Sequence, residues 1–194
     1  MKISVIGSGT WGACLANLLS ENGHNVLVWG RNSNTISDMD LSRQHPNLAN
    51  FTYSQDIDFI TDIGLALNSD VILIAVSTSS IRSVVSQILS AGNIANSNFV
   101  IASKGIENDT CYTISDILEQ MLKIKKENIY ILSGPSHAEE VVKKKPTSVV
   151  ASSRDVGSAC FVQNMFSCDY FRVYTNNDLI GSEIGGAVKN VIAI

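Results

Sequence analysis

The sequence predicts an α/β fold built on a doubly wound (Rossmann) sheet of mostly parallel strands. Short apolar runs alternate with longer amphipathic stretches along the chain, which is the pattern of repeated strand–helix units. Val71–Val76 is a run of six apolar residues, as is typical of a strand covered by helices on both faces. The 194 residues include 45% hydrophobic and 16% charged residues, which excludes intrinsic disorder.

The individual strands are predicted from short apolar runs taken in chain order. Ile3–Ile6 is the first strand and Val26–Trp29 is the second. After Val71–Val76, four further runs have the same character: Phe99–Ala102, Ile129–Leu132, Ser148–Ala151 and Phe171–Tyr174. Residues 40–60 show the least regular pattern, and we expect loops there with a short strand near Phe51–Tyr53.

The helices are predicted from apolar residues at helical spacing between those strands. Trp11, Leu15, Leu18 and Leu19 form the first such series, and Asn22-Gly23 ends their helix. Further helical stretches lie near 78–90, 111–123, 136–145 and 155–167.

The last part of the chain is predicted to leave the Rossmann domain. From about Asp178 the pattern is helical again, and it stays helical to Ile194. We therefore expect one Rossmann domain over residues 1–177 and the start of a connecting helix over residues 178–194. The apolar run at the end carries no Gly, Asn or basic stop signal, so the chain is expected to be cut rather than finished.

Composition and charge exclude several classes of function. Lys plus Arg is 14 and Asp plus Glu is 18, and a net charge of −4 without a basic block argues against nucleic-acid binding. No run of 18 apolar residues is present, so membrane insertion is not expected. The four cysteines form no CxxC pair and the three histidines are scattered, so we expect reduced thiols, no metal site and a cytoplasmic location.

A glycine-rich turn follows the first strand. GSGTWG at residues 7–12 fits G-x-G-x-x-G between a strand and a helix, the context in which this motif indicates dinucleotide binding. Gly7 permits the tight turn, Gly9 lets the backbone approach a pyrophosphate, and Gly12 lets helix and strand pack closely. The phosphates would lie at the positive helix N-terminus. Trp11 is predicted either to cover the cofactor or to belong to the core.

The end of the second strand carries the signal for cofactor choice. NAD-binding sites of this type place an Asp or Glu about 20 residues after the glycines, where it holds the ribose 2′-hydroxyl. Here Val28-Trp29-Gly30-Arg31-Asn32 contains no carboxylate. Because a guanidinium suits a 2′-phosphate, Arg31 favours NADP(H), with NAD(H) left open and an ordinary surface arginine as the alternative.

Polar residues also follow two later strands, where open α/β sheets bind ligands. Lys104 follows Phe99–Ala102 and would place one cation beside an anionic group, although a lysine there is commonly solvated. Ser136 follows Ile129–Leu132 and forms, with Glu139, a capping-box pattern that explains it as a helix N-cap. The same helix start would expose amides able to hold a hydroxyl or a phosphate.

A third polar cluster is Gly185-Gly186-Ala187-Val188-Lys189-Asn190. In a helix, the two glycines lie four and three residues before Lys189 on the same face. Each glycine costs about 1 kcal/mol of helix stability relative to alanine, which indicates that something approaches closely there. A ligand beside the ammonium and a tightly packed neighbouring element are the two interpretations.

Four motifs together resemble one known family. GSGTWG at 7–12, SKGIE at 103–107, LSGPSHAEEV at 132–141 and GSEIGGAVKNVIAI at 181–194 are similar, in order and spacing, to bacterial NAD(P)-dependent glycerol-3-phosphate dehydrogenase. The resemblance implies hydride transfer between NAD(P)H and dihydroxyacetone phosphate or sn-glycerol 3-phosphate, which supplies glycerol 3-phosphate for phospholipid synthesis. It also implies that the final helix leads to an all-helical substrate domain, expected to be missing from this chain.

The resemblance further implies roles for individual residues. Lys189 matches the catalytic lysine that exchanges a proton with the substrate oxygen, and Lys104 matches a lysine that contacts both substrate and cofactor. Besides these and the three turn glycines, the family's positions are Gly134, Ser136 and Asn190 for substrate, and Thr10, Trp11, Arg31 and Ala138 for cofactor.

Three points depart from the family, and two rival functions stay open. Residues 44–48 match the family's loop after the second strand poorly, so no role is carried over there. His137 stands where the family often has phenylalanine. A hydrogen-bond donor is one interpretation, but we expect His137 to pack. The missing helical domain supplies the contacts to the substrate phosphate, so the chain is expected to bind cofactor but to be nearly inactive alone. A homodimer is considered for the full-length protein. The rivals are another two-domain Rossmann reductase, of the hydroxy-acid or ketopantoate type, and a non-catalytic NAD(P)H-sensing module.

Overall fold

The computed structural model describes residues 1–92, 94 and 97–192, with their side chains except at positions 156, 190 and 191. Within that part of the chain, eight strands form one sheet. They are β1 (Lys2–Ile6), β2 (Asn25–Trp29), β3 (Ile57–Ile60), β4 (Val71–Ile74), β5 (Asn98–Ile101), β6 (Ile129–Ser133), β7 (Thr147–Ser152) and β8 (Phe171–Asn176).

The strand order places one ligand-binding edge at the centre of the sheet. The order is β3-β2-β1-β4-β5-β6-β7-β8, and every neighbouring pair is parallel except β6 and β7. The predicted doubly wound, mostly parallel sheet is therefore confirmed. Ile6 of β1 is level with Trp29 of β2 and Ile74 of β4, so the carboxyl ends of these three strands meet. Ligands bind at such an edge.

Helices cover both faces of the sheet, and the core is accordingly divided in two. Val71 and Leu73 of β4 face one hydrophobic cluster, whereas Ile72 and Ile74 face the other. This alternation confirms that β4 is buried on both faces. The helices are α1 (Thr10–Glu21), α2 (Ser33–Ser42), α3 (Ile63–Ala66), α4 (Ile81–Ala91), α5 (Ile114–Leu122), α6 (Ala138–Val141), α7 (Val156–Phe166) and α8 (Leu179–Ile192). Short 3₁₀ turns occupy Thr78–Ser80 and Lys126–Asn128.

The segment between α2 and α3 corrects one sequence prediction. The strand expected near Phe51–Tyr53 is wrong, because Thr52 forms only an isolated bridge to Gln44. The two aromatic rings instead pack into the core, edge to face, with 4.8 Å between their centres. The strand of this region is β3, which begins at the buried Ile57. Two aromatic residues that are buried one by one can therefore give the same alternating sequence pattern as a strand.

Helix boundaries agree with the sequence at some points and differ at others. α1 ends at Glu21, directly before the predicted stop at Asn22-Gly23, and α8 begins close to the predicted start near Asp178. The helix predicted near 136–145 is limited to the four residues of α6, and Lys143–Lys145 follow it in an exposed turn. In the described part of the chain, no helix has both the length and the apolar content needed to cross a bilayer.

Candidate active site

The glycine-rich turn joins β1 to α1 at the central edge of the sheet. Gly7 has a left-handed φ of 123°, and a side chain there would collide with the Ala75 carbonyl after β4. A side chain at Gly12 would likewise collide with the Gly7 carbonyl. The close packing of the turn therefore requires glycine at both positions.

Gly9 differs from the other two glycines because it borders open space. A Cβ at this position would have no heavy atom within 4 Å. The first turn of α1 has neither a side-chain cap nor an acidic residue, so its N–H groups are left without these partners. Such N–H groups and the helix dipole favour an anionic group. The turn therefore fits the pyrophosphate of a dinucleotide.

A cavity of about 190 Å³ opens between this turn and the ends of β2 and β4. Its walls include Gly9, Gly30, Arg31, Ser77 and Ser80, and the two serines carry no motif that marks them in the sequence. Arg31 is exposed and forms no ion pair with any described residue. Arg31 thus places an exposed guanidinium in the wall of this cavity.

A second cavity, of about 360 Å³, lies on the other side of the turn. It brings together Trp11 of α1, Lys104 after β5, and Ser136, His137 and Ala138 after β6. Residues predicted for cofactor and for substrate therefore meet in one place. His137 is exposed and lines this cavity, so the expectation that it packs is wrong.

Lys104 is held inside the second cavity by three contacts. Its Nζ donates hydrogen bonds to the Gly134 carbonyl at 2.8 Å and to Ser136 Oγ at 3.3 Å. The same ammonium lies 5.8 Å from the centre of the Trp11 ring, within cation–π range. Burial and, secondarily, the charge of Lys189 lower the pKa of Lys104. Trp11 is predicted either to cover the cofactor or to belong to the core. The half-buried ring packs against the core and also lines the cavity, so its position is compatible with both interpretations.

Ser136 differs from the N-cap that its sequence pattern predicts. α6 begins at Ala138 with His137 as N-cap, and no side chain caps it. The Ser136 hydroxyl instead accepts a hydrogen bond from Lys104 and donates one to the Gly134 carbonyl at 3.4 Å. The capping-box prediction is therefore wrong, and Ser136 belongs to the hydrogen-bond group around the lysine.

The loop that carries Lys104 is held by Thr78 and Arg82, which act on the SKGIE motif and which sequence reasoning did not identify. Thr78 Oγ1 donates to the Lys104 carbonyl at 2.9 Å. Gly105 has a left-handed φ of 139°, and a side chain there would collide with Thr78. Glu107 accepts two hydrogen bonds from Arg82 of α4, at 2.6 and 2.7 Å. These partners lie 25 and 26 residues apart, so no local pattern indicates them.

The two glycines of α8 have different surroundings. A Cβ on Gly186 would lie 2.5 Å from Ser133 Oγ and 3.7 Å from Lys104 Cγ, so this glycine lets α8 pack against the end of β6. A Cβ on Gly185 would meet nothing within 4 Å. Close packing therefore explains Gly186, whereas Gly185 borders space that a ligand can enter.

Lys189 follows Gly186 by about one turn, on the same face of α8. It is half-buried, and its charge contributes to the lowered pKa of Lys104, so the two ammonium groups share one region of the site. Two neighbouring cations favour an anionic oxygen or a carbonyl oxygen that gains negative charge. Asn190, predicted as a substrate contact, lies in α8, but its side chain is outside the described residues.

His45 connects the loop after α2 to the glycine-rich turn, and no sequence motif marks it. Its Nδ1 accepts a hydrogen bond from the Asn47 N–H at 3.1 Å, so the ring proton is on Nε2. Nε2 then donates to the Ser8 carbonyl, also at 3.1 Å. Burial lowers the pKa of His45, which favours this neutral form. The buried imidazole therefore holds the glycine-rich turn through its hydrogen bond to Ser8.

Comparison with known proteins places this site in a family. Residues 2–159 match the family described as NAD-dependent glycerol-3-phosphate dehydrogenase N-terminus. The chain belongs to this family. The resemblance inferred from the four motifs is thereby confirmed. The glycine-rich turn, Lys104 and Ser136 lie within the region matched to glycerol-3-phosphate dehydrogenase, and Lys189 lies beyond it.

Individual relatives extend the match over the whole chain. Glycerol-3-phosphate dehydrogenase (NAD(P)+) of Staphylococcus saprophyticus is 44% identical, covering 100% of this chain and 59% of that protein. The Staphylococcus aureus enzyme is 43% identical with the same coverage. The crystal structure of glycerol-3-phosphate dehydrogenase from Coxiella burnetii has a TM-score of 0.90 and 26% identity, over 99% of this chain and 58% of that one. The chain thus spans 59% of the length of the curated relatives it matches.

Proposed function

We propose that this chain is the cofactor-binding part of a glycerol-3-phosphate dehydrogenase and that it carries the acid–base lysine of that enzyme. The reaction is the reversible reduction of dihydroxyacetone phosphate to sn-glycerol 3-phosphate. The observation that supports this best is the position of Lys104 in the cavity beside the glycine-rich turn, together with the approach of Gly186, one turn before Lys189, to the Lys104 side chain, in a chain of this family. A sensing module needs no such lysine pair, and the family match disfavours a hydroxy-acid or ketopantoate reductase.

The glycine-rich turn and the two cavities beside it would hold the dinucleotide. Gly9 leaves room for the pyrophosphate at the start of α1. Arg31 would meet the adenosine end and favour NADPH, and Trp11 and Ala138 would border the nicotinamide end. When bound, NAD(P)H supplies the hydride that is transferred to the carbonyl carbon of the substrate.

The two lysines would act on the oxygen of that carbonyl. As the carbon gains a hydride, the oxygen gains negative charge, and the Lys189 ammonium donates a proton to it. In the reverse direction the neutral amine accepts the proton from the hydroxyl. The Lys104 ammonium stabilises the charge on the same oxygen, and its bonds to Gly134 and Ser136 keep it oriented.

The substrate phosphate is proposed to be bound mainly from outside residues 1–194. The curated relatives are longer than this chain, which leaves room in them for further substrate contacts. Each charge-assisted hydrogen bond that is lost costs about 1.5–3 kcal/mol, so residues 1–194 alone should turn over very slowly. We further propose that the product serves phospholipid synthesis in the cytoplasm and that the complete protein is a homodimer.

The test is dihydroxyacetone-phosphate-dependent oxidation of NADPH and of NADH by the enzyme expressed from its complete natural reading frame. We expect the NADPH reaction to be the faster one. Lys189→Ala should lower kcat by about 10²- to 10⁴-fold, because a methyl group cannot transfer a proton. Residues 1–194 expressed alone should bind NADPH with little turnover.

Lys143→Ala is the matched control, since Lys143 is an exposed lysine in the turn after α6. Its activity should equal that of the unmodified enzyme. Failure of the complete enzyme to reduce dihydroxyacetone phosphate would overturn the proposed function. Nearly unchanged activity of Lys189→Ala would overturn the assignment of the proton donor.

A further inference from the structure

Glu183 is a buried carboxylate near the start of α8, six residues before Lys189. Only 7% of its surface is exposed, and it is the only acidic residue buried to this degree in the described part of the chain. One carboxylate oxygen accepts the backbone N–H of Ser115 at 3.0 Å, and the other accepts the Ser115 hydroxyl at 2.5 Å. Ser115 lies in the first turn of α5, so Glu183 ties the lysine-bearing helix to the start of another helix.

The residue before Glu183 makes a second attachment of α8 in another direction. Ser182 Oγ lies 2.5 Å from Ser152 Oγ at the end of β7. Consecutive helical residues point about 100° apart, so the two attachments hold α8 against two different neighbours. Two attachments on different sides of a helix oppose its rotation about its axis. The direction in which α8 presents its later residues is therefore set here.

The lysine lies on the face of α8 that these attachments orient. Ser182, Gly186 and Lys189 follow one another at spacings of four and three residues and share that face. Gly186 then approaches Ser133, and Lys189 comes near Lys104. From Glu183 to Lys189 the helix rises about 9 Å, so a small rotation at Glu183 is carried to the ammonium.

Attaching a helix through a buried carboxylate costs the free energy of removing that charge from water. Glu183 forms no ion pair with any described residue, and burial raises its pKa above the ordinary value. An apolar side chain would avoid this cost of desolvation, but it could not accept two hydrogen bonds from Ser115. The directional bonds, rather than the burial, are what the carboxylate adds.

We infer that Glu183 is a positioning residue for Lys189, which acts by holding α8 at one rotation through its two hydrogen bonds to Ser115. This inference rests on the proposed function, because it assigns the consequence of that rotation to the proton transfer. Glu183 itself touches neither the cavity nor Lys104 in the described contacts.

The test uses the enzyme from its complete reading frame and compares Glu183→Leu with Glu183→Gln. Leucine removes both bonds, and a displacement of about 1 Å in a reacting group can cost 10²-fold in rate. We expect Glu183→Leu to lower kcat by about 10- to 100-fold while the Kd for NADPH changes less than twofold. Glu183→Gln should stay close to the unmodified enzyme, because its amide oxygen accepts the Ser115 N–H and its amide group bonds the hydroxyl.

Two further variants keep the test decisive. Glu127→Leu replaces an exposed glutamate and should leave kcat unchanged. Ser115→Ala removes one of the two bonds from the other side, so it should lower kcat in the same direction by a smaller factor. If Glu183→Leu does not fold, Ser115→Ala and Glu183→Gln decide the matter.

The outcomes separate this inference from the proposed function. An inactive unmodified enzyme overturns the proposed function, and the inference falls with it. With an active enzyme, three results overturn the inference alone: unchanged kcat in Glu183→Leu, a parallel loss of NADPH binding, which indicates a merely structural role, or equal damage by glutamine and leucine. If Glu183→Leu does not fold, unchanged kcat in Ser115→Ala overturns it.

Discussion

Lys104 lies in a loop and Lys189 lies in a helix, and a glutamate holds each of these two segments. Glu107 is part of an ion pair in which its own side chain is 16% exposed and that of Arg82 is 39% exposed. Glu183 is 7% exposed and is bound by Ser115 instead of a cation. The hydrogen bonds from Arg82 lower the pKa of Glu107, whereas burial raises that of Glu183.

The difference shows two ways to hold a charged side chain at a site. An ion pair with partial access to water costs little desolvation, but solvent and salt weaken it. A buried carboxylate costs more, but its hydrogen bonds are shielded from both. The attachment of the loop through Glu107 should therefore weaken with rising salt concentration, whereas the attachment of α8 through Glu183 should not.

The largest expected effect comes from removing both attachments at once. If Glu107 and Glu183 act on different lysines, their effects on the rate should multiply, as is usual for independent sites. Glu107→Ala alone should lower kcat/KM by about 3- to 10-fold and Glu183→Leu by about 10- to 100-fold, so the double variant should show roughly the product. Steady-state assays of the four proteins measure this. A double variant no worse than Glu183→Leu would show that the two glutamates hold a single unit.

Salt should separate the two attachments by a smaller factor. Raising ionic strength to about 0.5 M screens exposed ion pairs. The ratio of kcat/KM between the unmodified enzyme and Glu107→Gln should therefore shrink toward one, while the ratio to Glu183→Leu should stay constant. Using ratios cancels the effect of salt on binding of anionic ligands. Equal shrinkage of both ratios would contradict the distinction.

The smallest expected effect is a difference in how stability depends on pH. Glu183 has a raised pKa, so its contribution is present below the ordinary value of 4.5 and is lost as pH rises through the raised value. Glu107 has a lowered pKa, so its contribution is present above 4.5 and is lost as pH falls through the lowered value.

Urea unfolding of three proteins measures that difference. Above pH 4.5 the unmodified protein should lose stability relative to Glu183→Gln as pH rises toward neutrality. Below pH 4.5 it should lose stability relative to Glu107→Gln as pH falls. The groups around Glu183 are Ser115, Thr113 and Asp116, of which the Asp116 charge adds to the upward shift. Parallel curves for all three proteins would refute both assignments.

Local patterns predicted much of the fold. The run at Val71–Val76 and the glycine-rich turn need only neighbours in sequence, and both indicated the right structures. β3 was not predicted because it is an edge strand of only four residues. α2 was not predicted because only two of its residues, Ile36 and Met39, are buried. Short elements with few apolar residues leave little periodicity to detect.

The site could be predicted only in part, because its supports are not local. The four motifs contain only part of the lining of the two cavities. The lining residues outside them include Arg31, Ser77 and Ser80. Arg82 and Ser115 lie far from the glutamates they bind, by 25 and 68 residues. Ser136 shows the opposite failure, since a complete local explanation as an N-cap was available and was wrong. Which hydrogen bond a serine forms depends on the lysine that the fold brings to it.

The antiparallel step between β6 and β7 decides how helices meet the ligand edge. α1 follows a strand that ends at this edge, so it begins there and offers backbone N–H groups to an anion. β8 runs parallel to β7 and therefore ends at the opposite edge, from which α8 must return past Ser152 and then Ser133. α8 thus approaches the site with its side rather than with its N-terminus, and it presents a side chain there. One reversal of strand direction, which β7 and β8 share, therefore makes α8 present its side to the region where α1 presents its N-terminus.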